Sequence, residues 1–365
     1  MKTKNLYLAV VMMMGILWSC NKTNDLATSA NSVSLKTSIS NNVQDLKSAV
    51  NTISASPGYQ VFSGVNDIST KSAEISPFDT LTHSILLADV AGIYQYKAKT
   101  ITRNRMSIMR FFNKTGESSQ MIVSLPESKV NSSKLLLHYA PSDTLLANDY
   151  TISVSDYQYR FNRFSSFDYK MASSIKIKDV DAGALQIQSV YTRNDGYNYV
   201  SEFDFPNGYT TKCLNTSGDT ITSSNSISQG TKILYEEKLM SIKTSTNVKH
   251  REREFSLTIG NVLIKRELGN DQTLDSAKVY VSGILQLKSK VEIVDKSTDS
   301  TVDPTVTNQK RELKITFDDG TSATISQLVG SAITDINSLF TSMRQVNFAT
   351  KIVDWIAWDI YTKKN

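Results

Sequence analysis

The side chains that most often carry out chemistry are few in this sequence and stand far apart. The three histidines are His83, His138 and His250, and none has a second histidine at the spacing of a zinc site. Serine is abundant, but no serine lies in a Gly-x-Ser-x-Gly turn, so no nucleophile can be named. Glycine-rich phosphate loops are missing as well. The sequence therefore assigns no catalytic, metal-binding or cofactor-binding residue and implies no cofactor.

The carboxylates leave one enzymatic alternative open. Asp295, Asp299 and Asp303 are spaced four apart, whereas a calcium loop supplies ligands from alternate positions, so this segment is interpreted as an acidic loop. The paired carboxylates of a glycoside hydrolase meet only in the folded chain. A hydrolase with unidentified carboxylates therefore remains an alternative.

Two segments could form a binding surface. In YQYRFNRFSSFDY, Tyr157, Tyr159 and Phe161 alternate beside Arg160 and Arg163. Aromatic rings with arginines suit a carbohydrate or peptide platform, and they also pair across the strands of a sheet. In KHREREF, residues 249–255, a strand would align its basic side chains with an apolar face, either to meet an acidic ligand or to cover the core with their long stems.

The start of the chain has the build of a secretory signal peptide. Two lysines precede an apolar stretch that ends at Leu17, and this stretch is shorter than the about 20 residues that span a bilayer. The small residue Ser19 stands directly before Cys20, as cleavage requires. We therefore expect residues 1–19 to be a removable signal peptide and Cys20 to begin the mature chain.

The run Leu17-Trp18-Ser19-Cys20 resembles the lipobox of bacterial lipoproteins, here of the Bacteroidota type, although Trp18 departs from the small or branched residue usual at its position. The resemblance implies that Cys20 is lipidated, with acyl chains such as palmitate, and that the lipid bilayer is a partner. At roughly 0.8 kcal/mol per buried methylene, two or three chains anchor a protein permanently. Asn21 is not the aspartate of inner-membrane retention, which implies the outer membrane and leaves its periplasmic face and the cell surface open.

Composition narrows the class of protein. Removing residues 1–19 takes two of the 40 basic side chains away, and the remaining 38 against 35 acidic ones leave a net charge of +3. This net charge is too small for a nucleic-acid binder.

Residues 20–33 are rich in Asn, Thr and Ser, which predicts a flexible stalk. The remaining residues, 34–365, are predicted to form a single globular domain.

Apolar periodicity predicts an α+β fold. A helical stripe favours one amphipathic helix at about 34–55, and two more stripes favour helices at about 323–362 that cover one sheet face. Between about 93 and 317 the period changes to two, and short polar turns separate the strands, which predicts a large antiparallel sheet or open barrel. Pro206-Asn207-Gly208 gives the strongest hairpin pattern.

The segment LADVAGIYQY resembles the opening of lipocalin-like barrels, with Gly92 two residues before Tyr94. This resemblance implies a barrel that holds an apolar ligand in its mouth. The helices before and after the predicted strands exceed that pattern.

Five triplets of the form Asp-Ser/Thr followed by an aliphatic residue or threonine resemble the O-glycosylation motif of Bacteroidota-type exported proteins. Composition alone would give roughly two, and such triplets also favour turns. The candidate glycan sites are Thr80, Thr144, Thr220, Ser276 and Ser300.

Taken together, a tether without catalytic motifs favours a non-catalytic lipoprotein that binds a glycan, lipid or protein ligand or has a structural role at the cell envelope. A tethered glycan hydrolase and a lipocalin-like carrier are the alternatives.

Overall fold

The structure is a computed structural model that describes residues 34–59, 82–97, 108–130, 145–162, 165–243, 251–268, 277–295, 311–330, 332–344 and 347–364. Several predictions fall outside these residues. They are the signal peptide, the stalk with Cys20, the segment that contains His138, the basic pair Lys249 and His250, the acidic loop after residue 295, and the glycan sites Thr80, Thr144, Ser276 and Ser300.

Helix α1, Leu35–Ser54, is amphipathic as predicted. Its apolar side chains recur at steps of three or four residues and are buried, among them Leu35, Ile39, Val43, Leu46, Val50 and Ile53. The chain then passes close to the sheet at Gly58, where a Cβ atom would lie 2.2 Å from the carbonyl oxygen of Ala182. Only glycine allows this approach.

The sheet begins with four short strands and their connections. In chain order these are β1 (Thr82–Leu86), α2 (Leu87–Val90), β2 (Gly92–Tyr96), a 3-10 turn (Ile108–Arg110), β3 (Phe112–Gly116), β4 (Met121–Leu125) and α3 (Glu127–Val130). Strand β2 pairs antiparallel with β3 and parallel with β4, so the predicted antiparallel sheet includes one parallel pair among its described strands. The chain reverses direction between β2 and β3 and again between β3 and β4. Strand β4 therefore runs in the same direction as β2, its neighbour in the sheet.

A long antiparallel meander follows, as the alternating pattern predicted. Its strands are β5 (Tyr150–Asn162), β6 (Ser166–Ile177), β7 (Val180–Thr192), β8 (Gly196–Asp204), β9 (Tyr209–Thr216), β10 (Thr220–Gln229), β11 (Lys232–Lys243), β12 (Arg251–Ile259), β13 (Val262–Leu268), β14 (Lys278–Val281) and β15 (Ile284–Leu285). The turn predicted at Pro206-Asn207-Gly208 joins β8 to β9, and Gly208 adopts a φ of +81° there.

Fifteen of the described strands, β1 to β15, form one sheet that is not closed. Its order runs from β15 through the meander to β5, then β4, β2 and β3, while β1 pairs with the second half of β5. Strands β3 and β15 are the two edges. The open-sheet form of the predicted fold is therefore confirmed, and in the described residues the sheet is not a closed lipocalin-like barrel.

The last part of the chain adds a small sheet and three helices. They are β16 (Lys290–Asp295), β17 (Arg311–Thr316), β18 (Ser322–Thr324), α4 (Ile325–Val329), α5 (Ala332–Arg344) and α6 (Asn347–Lys364). The first predicted C-terminal helix is divided into α4 and α5, because Gly330 adopts a φ of +60° and ends α4. Thr324 caps α4 by accepting a hydrogen bond from the Gln327 amide.

The core lies between the sheet and these helices. Helix α1 packs on β11, β12 and β13, while α6 packs on β1 and α2. Trp355 and Trp358 of α6 are partly buried against this core, in agreement with the prediction that the C-terminal helices cover one sheet face. Residues Leu35–Asn365 form one compact unit. Across the described helices, none combines the length and apolar character that crossing a bilayer requires.

Candidate binding surface

Strand register aligns the side chains of the meander into rows on one face. The inner row is buried and consists of Ser173, Leu185, Phe203, Thr211, Ile227, Tyr235, Ile259 and Val262. The outer row, four residues further along each strand, consists of Tyr159, Tyr169, Ser189, Tyr199, Asn215, Ser223, Leu239 and Phe255. The same face therefore changes from core to surface along the strands.

One end of this face meets Asp354 of helix α6. The hydroxyl groups of Tyr157 and Tyr169 both donate to Asp354 Oδ1, at 3.0 and 3.2 Å. The two tyrosine rings are perpendicular, with centroids 6.1 Å apart. A carboxylate can accept several hydrogen bonds, so one oxygen satisfies both hydroxyls and fixes α6 against β5 and β6.

The electrostatics of this cluster follow from desolvation. Asp354 as a whole residue is partly exposed, but the protein around its carboxyl group removes water and raises its pKa from 3.8 to about 7. The hydrogen bonds from the two tyrosines oppose this rise because they favour the ionised form. Burial, and then the charge of Asp354, raise the pKa of Tyr157 and Tyr169 well above 10.0.

The aromatic segment singled out in the sequence packs across strands. Tyr159 lies edge-on to Phe167 and Tyr169, with centroids 5.6 and 6.2 Å apart, and Phe167 stacks on Tyr169 at 6.3 Å. Cross-strand packing, the second of the two interpretations of these residues, is therefore what the structure shows. Arg160 points to the opposite face and is exposed, whereas Arg163 lies outside the described residues.

Farther along the sheet the same face is open to solvent. Tyr191 and Tyr197, a direct cross-strand pair, are 44% and 37% exposed, and Leu239 is 46% exposed. Tyr197 stacks on Tyr199 with centroids 6.3 Å apart. We define the open face as Tyr191, Tyr197, Tyr199, Ile221, Leu239 and Phe255. Burial of these side chains against the rest of the chain is incomplete, which is unusual for so many neighbouring apolar groups.

Basic residues border the open face on β12. Arg253 is exposed opposite Ser241. Arg251 instead holds the turn between β9 and β10, because its guanidinium donates to the carbonyl oxygens of Gly218 at 2.9 Å and Asp219 at 3.2 Å. Strand β12 has the predicted alternation, since its face with these arginines continues into buried Leu257 and Ile259.

The other residues noted in the sequence lie elsewhere. His83 is buried on β1, edge-on to Trp358 at 5.1 Å. Cys213 is buried in the sheet. Thr220 begins β10 beside the Arg251-bound turn and is exposed, so its glycosylation stays a prediction. Within the described ranges, no group of three histidine, cysteine or acidic side chains is arranged to hold a metal.

Sequence reasoning missed both Asp354 and the open face. Asp354 stands in the last apolar helical stripe, and the stripe pattern assigns no role to a single acidic residue within it. The alternation of Tyr197 and Tyr199 in GYNYV was visible in the sequence, but nothing local distinguishes an exposed strand end from a buried one. The signal that could have found Asp354 was its position beside Ile352, Val353 and Ile356, which are fully buried.

Comparison with known proteins adds no relative to this picture. No protein family model, no curated protein and no solved structure matches the chain.

Proposed function

We propose that this chain is a lipid-anchored, non-catalytic binding protein of the outer membrane and that its open face contacts a protein partner. The observation that carries the proposal is the exposure of Tyr191, Tyr197 and Leu239 on a sheet face whose other half is core. Contiguous exposed apolar groups of this kind mark interaction sites in soluble domains.

The size of the open face suits a protein partner. It extends from β7 to β12, and five interstrand spacings of about 4.8 Å give a width of roughly 24 Å. A standard protein interface buries about 800 Å² on each partner, which corresponds to a patch of similar width. The open face is therefore large enough for such a contact.

The composition of the open face supports the same class of ligand. The tyrosines of the open face and Arg253 at its border belong to the residue types enriched among the strongest contributors to protein interfaces. Asn215 and Ser223 are exposed and lie between Tyr199 and Leu239 in the outer row, and short polar side chains beside tyrosines give adaptable hydrogen bonding. The aliphatic Ile221 and Leu239 favour a protein over a glycan, because sugars offer them few apolar groups.

Site-specific photocrosslinking in the native host tests this proposal. A photoreactive amino acid at Tyr191, Tyr197 or Leu239 should give a discrete protein adduct. The matched control is Gln188, which lies on the same strand as Tyr191 but on the opposite, exposed face. No adduct at the three open-face positions, or equal adducts at Gln188, would overturn the assignment, and adducts with glycan alone would replace the protein partner with a sugar.

The anchor is tested separately. Cys20→Ala should block acylation and leave an uncleaved or soluble protein in the periplasm, because the thiol that receives the lipid is gone. Detergent-phase partitioning measures this directly. Equal partitioning of the wild type and Cys20→Ala would contradict the anchor and leave the open-face proposal intact.

Asp354 is the residue that favours the hydrolase alternative, since a carboxyl with a pKa near 7 can act as a general acid. Glycoside hydrolysis needs a second carboxylate about 5 to 10 Å away. The side chains that donate hydrogen bonds to the Asp354 carboxyl are those of Tyr157 and Tyr169, and neither is a carboxylate. Its two tyrosine partners instead support a structural role, and hydrolysis by the wild type that is lost in Asp354→Asn would reverse this interpretation.

A further inference from the structure

The hairpin of β14 and β15 forms one edge of the large sheet. Its turn is tight, with φ values of +50° at Ser282 and +81° at Gly283. The Ser282 amide donates to the Asn261 carbonyl oxygen at 2.8 Å, and the Gln286 amide donates to the Val279 carbonyl oxygen at 2.8 Å. These bonds fix the conformation of the hairpin, so the exposure of its side chains is a property of the fold.

Three apolar side chains in β15 and just after it stand in solvent. Ile284 is 64% exposed, Leu285 39% and Leu287 82%. The preceding strand behaves differently, because Val279 and Val281 are buried in the core. Leaving two leucines and an isoleucine together in water is unfavourable, which points to a partner that covers them.

Lysines surround this apolar tip. Lys278, Lys288 and Lys290 are all exposed, and Lys290 pairs with Glu292. In the described part of the chain, Lys278 and Lys288 take part in no ion pair, and both remain available to an anion. We define the lysine-rimmed tip as Ile284, Leu285, Leu287, Lys278 and Lys288.

The tip is also connected to the first helix. Asn42 Nδ2 of α1 donates to Asn261 Oδ1 at 2.7 Å, and Asn261 Nδ2 donates to Ser282 Oγ at 3.0 Å. Asn42 lies seven residues after Leu35, which at about 1.5 Å per residue is roughly 10 Å along the helix. The tip is therefore linked by hydrogen bonds to the N-terminal half of α1.

We propose that the lysine-rimmed tip inserts into the surface of a membrane that carries anionic phosphate headgroups. The aliphatic side chains would enter the boundary between headgroups and acyl chains, and the lysines would meet the phosphates. Because this tip has aliphatic groups and unpaired cations but no aromatic anchor, its chemistry differs from that of the open face and fits lipid better than protein. The link between the tip and α1 supports membrane contact only together with the proposed anchor. The composition and the exposure of the tip are independent of that anchor.

The test uses the full chain carrying Cys20→Ala, so that acyl chains cannot cause binding. An environment-sensitive fluorophore is attached to Leu287→Cys, and the matched control carries it at Thr231→Cys, in the exposed turn between β10 and β11. Cys213 is buried and should not react. Vesicles of phosphatidylglycerol with phosphatidylcholine should shift the emission at position 287 to the blue, and lipids carrying a quencher should quench it, with little change at position 231.

Charge reversal supplies the second measurement. Each lysine near an anionic surface changes vesicle binding by about fivefold, so Lys278→Glu with Lys288→Glu should weaken the response at position 287 by at least about 25-fold. Unchanged emission at position 287, an equal response at position 231, or an equal response with pure phosphatidylcholine would each overturn the proposal. A blue shift that grows with protein concentration without lipid would replace the membrane with a second copy of the chain. Detergent partitioning of the lipidated protein reports on the anchor alone, so the two proposals can fail independently.

Discussion

The buried carboxyl of Asp354 should make the stability of the fold depend on pH. Its pKa is raised from 3.8 to about 7 in the folded state, so the folded chain holds a proton that the unfolded chain releases between these two values. Stability from this group is therefore fully present below about pH 4 and is lost as the pH rises through about 7.

The magnitude follows from the size of the shift. A difference of about three pKa units, at about 1.4 kcal/mol each, corresponds to about 4 kcal/mol. Because the Asp354 residue keeps some contact with solvent, we expect about 2 to 4 kcal/mol between pH 4 and pH 8. Asp354→Asn keeps the shape and an acceptor oxygen but cannot ionise, so this part of the pH dependence should disappear.

Urea unfolding at pH 4.5, 6 and 8 measures the effect. The difference in unfolding free energy between Asp354→Asn and the wild type should shift in favour of the variant by a few kcal/mol across this range. Asp335→Asn, which changes an exposed carboxylate on α5, is the matched control. Tyr169→Phe removes a hydrogen bond that favours the ionised form of Asp354. It should therefore raise the pKa of Asp354 further and enlarge the loss of unfolding free energy at high pH. If the slopes of the wild type and Asp354→Asn were equal, the proposed desolvation of Asp354 would be wrong.

Four further changes test the packing, the open face and one candidate glycan site. Phe203→Ala should lower the unfolding free energy by about 3 to 5 kcal/mol, because the ring is fully buried. Tyr197→Ser should change the unfolding free energy by no more than about 0.5 to 1 kcal/mol and impair only partner binding. Urea midpoints distinguish the two variants. Gly58→Ala should cost about 1 to 3 kcal/mol through its clash with the Ala182 carbonyl oxygen, and an unchanged midpoint would show that the approach can relax. Thr220→Ala should lower the intact mass of the protein from its own host by one glycan in addition to the mass of the substitution. A decrease equal to the substitution alone would exclude this site.

Features that depend on near neighbours in the sequence could be predicted. The stripe of α1 and the hairpin at Gly208 follow from side-chain period and turn chemistry alone. The break between α4 and α5 was missed although Gly330 and the capping sequence Thr324 to Gln327 are both visible, because the apolar stripe continues across the glycine. Here local backbone chemistry overrode periodicity.

Features that depend on distant pairing could not be predicted. Asp354 meets Tyr157 across 197 positions of the chain, and no local pattern encodes that register. The open face depends on how far along each strand the helices extend, and alternation alone gives the same pattern for a covered and an uncovered strand end. The binding surface could therefore be recognised only in the folded chain.

The meander also has a consequence for the order of folding. Strands β5 to β15 each pair with the next strand in the chain, so their loops are short and cost little entropy to close. Helix α6, by contrast, contacts β5 only when a loop of about 200 residues between them is closed. We expect the meander to form first and α6 to dock last, so that the fluorescence of Trp355 and Trp358 recovers after the β-sheet circular dichroism during refolding. Until that final step Asp354 faces water and titrates as an ordinary aspartate, and its protonation then follows the docking of the last helix.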